Sequence, residues 1–203
     1  MKQFETAAIL AGGKSSRMGY DKQLLTINDK LIYQGVYESL SSMFPDIVVV
    51  TNTPNLYKST AIRTCSDEFS NMGPLAGIHI ALKNAQSEYI YLLACDMPVV
   101  NPCYIAFMKK KLEDSGAPIC VAKRNGKIEP FNAFYSVKLL DDIESRLKAG
   151  NSSLFDVIMS SNPCVISEEE AAVFDSDLDM YINLNTQDEY KNYLQKVSGN
   201  ELN

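Results

Sequence analysis

The sequence predicts an α/β fold: a single-domain, Rossmann-like three-layer sandwich on a mostly parallel, mixed sheet. Short apolar runs such as Ile47-Val48-Val49-Val50 have the composition of strands buried on both faces. They alternate with longer segments of helical spacing, in the order β-α-β-β-α-β-α over the first two-thirds of the chain. No repeat, low-complexity tract or Gly/Ser linker interrupts the series. One domain over residues 1–197 is expected, with a frayed polar tail at 198–203.

Each element has its own local reason. Ala7–Leu10 is a short buried-strand pattern that stops at Gly12-Gly13. Leu31–Met43 carries apolar residues at Leu31, Ile32, Val36, Leu40 and Met43, close to helical spacing. Ile47–Val50 and Ile62–Cys65 read as strands, and Pro74–Ala85 as a helix with proline in its first turn. Tyr89–Ala94 is the next strand, followed by a helix over Pro102–Leu112. Ile119–Ala122 and Phe131–Tyr135 are expected as strands, with helices over Val137–Ala149, closed by Gly150, and over Ser153–Met159. Val165-Ile166 and Tyr181–Leu184 are expected as short strands, and Thr186–Val197 as the last helix.

At 203 residues, 46% hydrophobic and 22% charged, the chain can bury a full core without disulfides or structural metal. Lys and Arg total 19 against 25 for Asp and Glu, a formal charge of −6. That balance argues against nucleic acid as a partner, because phosphate neutralisation dominates such binding. The five cysteines are odd in number and form no Cys-x-x-Cys, and His79 is the only histidine. Neither a secreted disulfide framework nor a zinc site is indicated. With no signal-peptide pattern and no apolar run of membrane length, a reduced, cytoplasmic protein without membrane attachment is expected.

The candidate chemistry begins at Leu10-Ala-Gly-Gly-Lys-Ser-Ser-Arg-Met-Gly-Tyr-Asp-Lys22. Gly12, Gly13 and Gly19 let backbone N–H groups approach a phosphate, and Lys14, Arg17 and Lys22 can neutralise one. The spacing is neither that of a Walker A loop nor Gly-x-Gly-x-x-Gly. Asp96 ends the apolar strand Tyr89–Ala94 just where an α/β sheet collects its ligands, and a hard carboxylate there suits Mg²⁺. It suits equally a turn before Pro98. Asn71-Met-Gly-Pro-Leu-Ala-Gly77 opens a helix that can face an anion or simply pack closely, with Asp67 just upstream. Val50-Thr-Asn52 can read a base edge or cap a strand. The Glu168-Glu-Glu170 run reads as an exposed face, and Ser15 and Ser16 have no His/Asp partners that would make a nucleophile.

Together these blocks are similar to the signature of the nucleoside-triphosphate transferase superfamily. Leu10-Ala-Gly-Gly13 and the Asp21-Lys22 ending look most like its molybdenum cofactor guanylyltransferase branch. Gly73-Pro-Leu-Ala-Gly77, Cys95-Asp-Met-Pro98 and Ile182-Asn-Leu-Asn-Thr186 continue the resemblance in chain order. It implies a transferase moving GMP from Mg·GTP to the terminal phosphate of molybdenum–molybdopterin, with pyrophosphate released. It also implies that Leu10, Ala11, Gly12 and Gly13 hold the nucleotide by the backbone, that Lys22 binds phosphate and that Asp67 binds the nucleotide. Asp96 falls on the magnesium aspartate, and Arg17 and Lys22 would neutralise the departing pyrophosphate. The base-side position falls on Thr51 or Asn52, and side-chain chemistry favours Asn52. Arg124–Phe131 resembles a mobile loop and strand facing the acceptor. Gln187 stands where relatives often carry proline, a departure expected to alter only a helix start. The complexity of the acceptor implies transient contact with other cofactor-biosynthesis or acceptor proteins. The alternatives are a cytidylyltransferase of the same superfamily, whose members commonly have Leu-Ala-Ala-Gly, and a non-catalytic nucleotide- or cofactor-binding protein.

Overall fold

The computed structural model describes residues 2–11, 22–58 and 62–200, with the backbone alone for Lys22 and Asn200. Within these residues the strands β1 (Thr6–Leu10), β4 (Asp46–Val50), β5 (Arg63–Cys65), β6 (Tyr89–Ala94), β7 (Ile119–Arg124), β8 (Lys127–Ser136) and β9 (Cys164–Ile166) form one sheet. Its order is β5-β4-β1-β6-β8-β7-β9, and every strand runs in one direction except β8. A small antiparallel ribbon, β2 (Thr26–Ile27) and β3 (Lys30–Leu31), stands apart from it.

Side-chain alternation along these strands produces two cores. Ala7, Ile9, Val49, Tyr91, Leu93, Cys120 and Phe134 face one side. There they meet α1 (Ile32–Ser41), α3 (Pro102–Ser115), α6 (Glu168–Ala172) and α7 (Gln187–Asn200). Ala8, Leu10, Val48, Val50, Ile90, Leu92, Val121 and Tyr135 face the other, against α2 (Gly73–Lys83), α4 (Leu140–Lys148) and α5 (Leu154–Ser160). The central strands are covered on both faces, which is why they read as unbroken apolar runs. The expected three-layer, mostly parallel sandwich is what the chain forms.

Several local expectations differ. The segment expected as a strand at Tyr181–Leu184 instead has a 3-10 turn at Asp179–Tyr181 and then extended chain outside the sheet. Its apolar residues are buried by packing on the first core, so burial there does not require a ladder. The helix expected from Val137 begins as a 3-10 turn, Val137–Leu139, with the Ser136 hydroxyl capping Lys138 N–H, before α4 starts at Leu140. The acidic run Glu168–Glu170 opens a helix, α6, because Ser167 and Glu170 form a capping box. The final helix runs on through Asn200. Thr186 supplies its start without proline: its hydroxyl accepts from Glu189 N–H, and the Glu189 carboxylate accepts from Thr186 N–H and Asn185 N–H.

The reversed strand β8 follows from Asn125-Gly126. Both residues have positive φ, 49° and 76°, as a two-residue hairpin turn requires, and Arg124 pairs with Lys127 across it. The segment expected as a mobile loop and strand, Arg124–Phe131, forms a two-residue turn and the first half of β8, and Asn125 N–H donates to the Glu168 carboxylate of α6 at 2.8 Å.

His79, in α2, is fully buried against Phe69 and lies 3.9 Å from the Glu144 carboxylate. Burial lowers its pKa, so the ring is held neutral, as a packed residue.

Candidate active site

The chain runs β1-β4-β5 to one side and then returns to place β6 on the other side of β1. In open α/β sheets such a reversal leaves a crevice beyond the carboxyl ends of the strands. Leu10 and Asp96 stand on the two sides of it. Ala11 N–H donates to the Val50 carbonyl at 2.8 Å, and Cys95 N–H donates to the Leu10 carbonyl at 2.9 Å. Both bonds extend the ladder past the strand ends and hold the start of the Gly-rich segment in register with Asp96.

Asp96 follows β6 in a turn and is only 7% exposed. Its carbonyl accepts from Leu184 N–H at 3.0 Å, which brings Ile182–Thr186 against the turn, 88 positions away along the chain (184 − 96). That juxtaposition could not be inferred from either segment alone.

Asp67 and Asn52 meet after β5 and β4. Asn52 Nδ2 donates to Asp67 Oδ2 at 3.3 Å, and Asp67 N–H donates to Asn52 Oδ1 at 3.4 Å. The other carboxylate oxygen, Asp67 Oδ1, is buried and has no hydrogen-bond partner among the described residues. Burial raises the Asp67 pKa, and the Asn52 amide opposes that rise. Gly77, one turn into α2, is what leaves room here. A Cβ at that position would stand 3.3 Å from Leu10 Cδ2 and 3.8 Å from Asp67 Oδ1. The last glycine of the Gly73–Gly77 block thus keeps a cradle open between Leu10 and Asp67.

Thr51 and Asn52, the two residues at the base-side position, have different partners. Thr51 is 1% exposed, and its hydroxyl lies 3.0 Å from Gln23 Oε1. The same Gln23 oxygen accepts from Tyr57 OH at 3.0 Å, and Gln23 Nε2 donates to the Thr53 hydroxyl at 3.0 Å. Thr51 is committed to the interior, whereas Asn52 is exposed and faces Asp67.

Sequence reasoning missed Gln23. Together with the Ala11–Val50 bond, it ties both flanks of residues 12–21 to the end of β4. Removing the amide as Gln23→Leu leaves the buried Thr51 and Tyr57 hydroxyls short of a partner. A loss of about 1–3 kcal/mol in stability is expected, measurable by urea unfolding, with a raised KM for the nucleotide.

Asn132 was missed as well. It sits fully buried within β8 at φ 57°, where the pairing register with β7 shifts between Cys120 and Ala122. Its Oδ1 accepts from Tyr91 OH at 2.6 Å, and its Nδ2 donates to the Met180 carbonyl at 3.1 Å. It therefore joins β6 to the turn that precedes the Leu184–Asp96 contact. Neither residue belongs to a recognisable motif; only its partners reveal it.

Gly12, Gly13 and Arg17 lie outside the described residues, as does the Lys22 side chain; the Lys22 backbone begins a 3-10 turn over Lys22–Leu24. Leu10, Ala11, Asn52, Asp67 and Asp96 come together along the crevice edge of β1, β4, β5 and β6. No cluster of three or more His, Cys, Asp or Glu side chains suited to a metal is present among the described residues. Among them, no helix is long and apolar enough to cross a membrane.

A family model for the MobA-like NTP transferase domain matches residues 7–164, which includes β4 to β8 and all but the first residue of β1, and with them Leu10, Asn52, Asp67 and Asp96. The chain belongs to that family. A protein of Syntrophotalea carbinolica named molybdenum cofactor guanylyltransferase is 45% identical over 97% of this chain and 94% of its own length. One of Peptoclostridium acidaminophilum, named probable molybdenum cofactor guanylyltransferase, is 40% identical over 96% of this chain and 90% of its own. Among solved structures, molybdopterin-guanine dinucleotide biosynthesis protein A of Archaeoglobus fulgidus superposes with a TM-score of 0.85. It is 25% identical and covers 96% of this chain and 99% of its own. The family match runs through the hairpin and ends at Cys164, the first residue of β9, so this MobA-like domain takes in nearly the whole sheet and not the nucleotide-side half alone.

Proposed function

We propose that this MobA-like transferase moves GMP from GTP to the terminal phosphate of molybdenum–molybdopterin, giving the guanine dinucleotide form and pyrophosphate. The observation that carries the guanine end is the buried Asp67 Oδ1, without a donor among the described residues, beside the Gly77 cradle. A buried acceptor without a donor is costly unless a ligand supplies one, and guanine presents N–H donors on an edge where adenine and the pyrimidines do not match it. The names of relatives aligned over nearly the whole chain support the same reading.

In this reading the acceptor phosphate attacks the α-phosphorus of GTP in line, the bond to the bridging oxygen breaks, and pyrophosphate leaves. No covalent protein intermediate is needed, so the chain contributes positioning and charge. Asn52 and Asp67 hold the base; Leu10, Ala11, Gly12 and Gly13 shape the backbone beside the triphosphate; Arg17 and Lys22 neutralise it. The donor set fits Mg²⁺ arriving with the nucleotide: one buried hard carboxylate, Asp96, and no three-ligand protein cage among the described residues. Bound there, Mg²⁺ would supply charge neutralisation for the phosphates. Asp96 would orient it, and Leu184 holds the Asp96 backbone in place.

Calorimetry with GTP, CTP, ATP and UTP in the presence of Mg²⁺ tests the base assignment, and pyrophosphate release on adding the acceptor tests the transfer. GTP alone should bind with useful affinity and release pyrophosphate. A preference for CTP would move the protein to the cytidylyl alternative, and binding of GTP without release would make it a carrier.

A further inference from the structure

The far edge of the sheet, opposite the crevice, carries a second group of reactive side chains. Cys120 and Cys164 are direct partners in the parallel ladder of β7 and β9, near the amino-terminal ends of both strands. Paired residues project to the same face, so the two thiols lie side by side. Neighbouring strands are about 4.7–4.9 Å apart, inside the Cα separation that a disulfide spans. The two thiols are unequal in access. Cys120 is fully buried, whereas Cys164 is half-buried and lines a cleft of about 360 Å³ with Phe107, Lys110, Lys111, Asp114 and Ser115 of α3. From α6, Glu170 approaches the same place, paired with Lys111 at 2.6 Å.

We propose that Cys164 and Cys120 form a cross-strand dithiol that exchanges with low-molecular-weight disulfides and closes to a disulfide tying β9 to β7. The Cys164 sulfur, reached through the cleft, attacks one sulfur of a small disulfide RSSR. A mixed disulfide forms at Cys164, and RS⁻ leaves. Cys120 then loses its proton to solvent and attacks the Cys164 sulfur, expelling the second RS⁻. The two protein thiols are oxidised by two electrons in all, and RSSR is reduced to two thiols. The order is set by the surroundings. Cys120 beside it and Lys111 nearby lower the Cys164 pKa to about 6 against the opposing effects of burial and Glu170. The Cys164 sulfur beside it and burial raise the Cys120 pKa and keep its proton in place. One thiol is thus the nucleophile and the other resolves the adduct.

The test uses the full-length protein and 5,5′-dithiobis(2-nitrobenzoate), with modified cysteines located by peptide mass spectrometry. The Cys164 rate is divided by that of a cysteine in a short unstructured peptide, so that access cancels between pH values. A thiol of pKa about 6 against one near 8.5 makes this ratio fall on the order of a hundredfold between pH 6 and 9.5. With Cys120 present the Cys164 adduct should resolve to the Cys120–Cys164 disulfide. In Cys120→Ala it should persist, and in Cys164→Ser position 120 should stay unmodified. Cys164→Ser should leave GMP transfer unchanged, because this edge of the sheet lies away from Asp96. A ratio that does not change with pH overturns the proposal. So does an adduct at Cys164 that persists beside an intact Cys120, as seen in wild-type protein, whose folding does not depend on a variant.

Discussion

Asp96→Asn should lower the rate of GMP transfer by about 10²–10³-fold while leaving the fold intact. The substitution keeps the side-chain shape in a position only 7% exposed, and the Asp96 carbonyl still receives the Leu184 N–H. What is lost is a negative charge at the end of β6, where a cation accompanying the triphosphate would sit. The loss should fall on kcat and on the Mg²⁺ concentration required, and much less on the affinity for nucleotide without metal. Pyrophosphate release over a Mg²⁺ titration, beside a thermal melt, separates these effects. Transfer at the wild-type rate would remove Asp96 from the reaction. An equal drop in melting temperature would make its role one of folding.

Asp67→Ala should weaken GTP binding by about two orders of magnitude, equivalent to roughly 2–3 kcal/mol for a hydrogen-bonded charged acceptor. The same variant should melt no lower than the wild type. Among the described residues, its carboxylate holds one oxygen buried without a partner and accepts a long bond from Asn52 on the other. A group that costs the empty protein free energy and gains its partner from a ligand is the expected signature of a binding residue. Inosine triphosphate, which lacks the 2-amino group, identifies the contact. The wild type should favour GTP over it, and Asp67→Ala should treat the two alike. The acceptor function needs the ionised carboxylate, and burial raises the pKa above the ordinary 3.8. GTP affinity should therefore fall as the pH is lowered, earlier than for an exposed aspartate, and Asp67→Asn should abolish that dependence. An unchanged GTP preference in both variants would place the base elsewhere.

Much of this site can be read in the chain because its parts are strand ends. Leu10, Val50 and Ala94 close apolar runs, and polar residues at the crevice edge follow within two positions of a strand end: Asn52 after β4, Asp67 after β5, Asp96 after β6. The hairpin had a legible signal in Asn125-Gly126, and α6 had one in the Ser167–Glu170 capping box. Tyr181–Leu184 went the other way: an apolar run of strand length became irregular chain, because burial by packing and burial in a ladder select the same residues.

Local pattern alone was enough for the alternating layers and for the places where polar residues follow the strand ends, since side-chain period and backbone propensity act over a few residues. Tertiary structure decided what depends on contacts between distant segments. It placed β6 beside β1, reversed β8, set Leu184 on the Asp96 carbonyl, and committed Thr51 to Gln23 while leaving Asn52 for Asp67. It also aligned Cys120 with Cys164 across 44 positions of chain (164 − 120). Such pairings are selected by the free energy of the whole packed sheet, in which an unpartnered buried polar group is costly, and no segment of the sequence contains that requirement by itself.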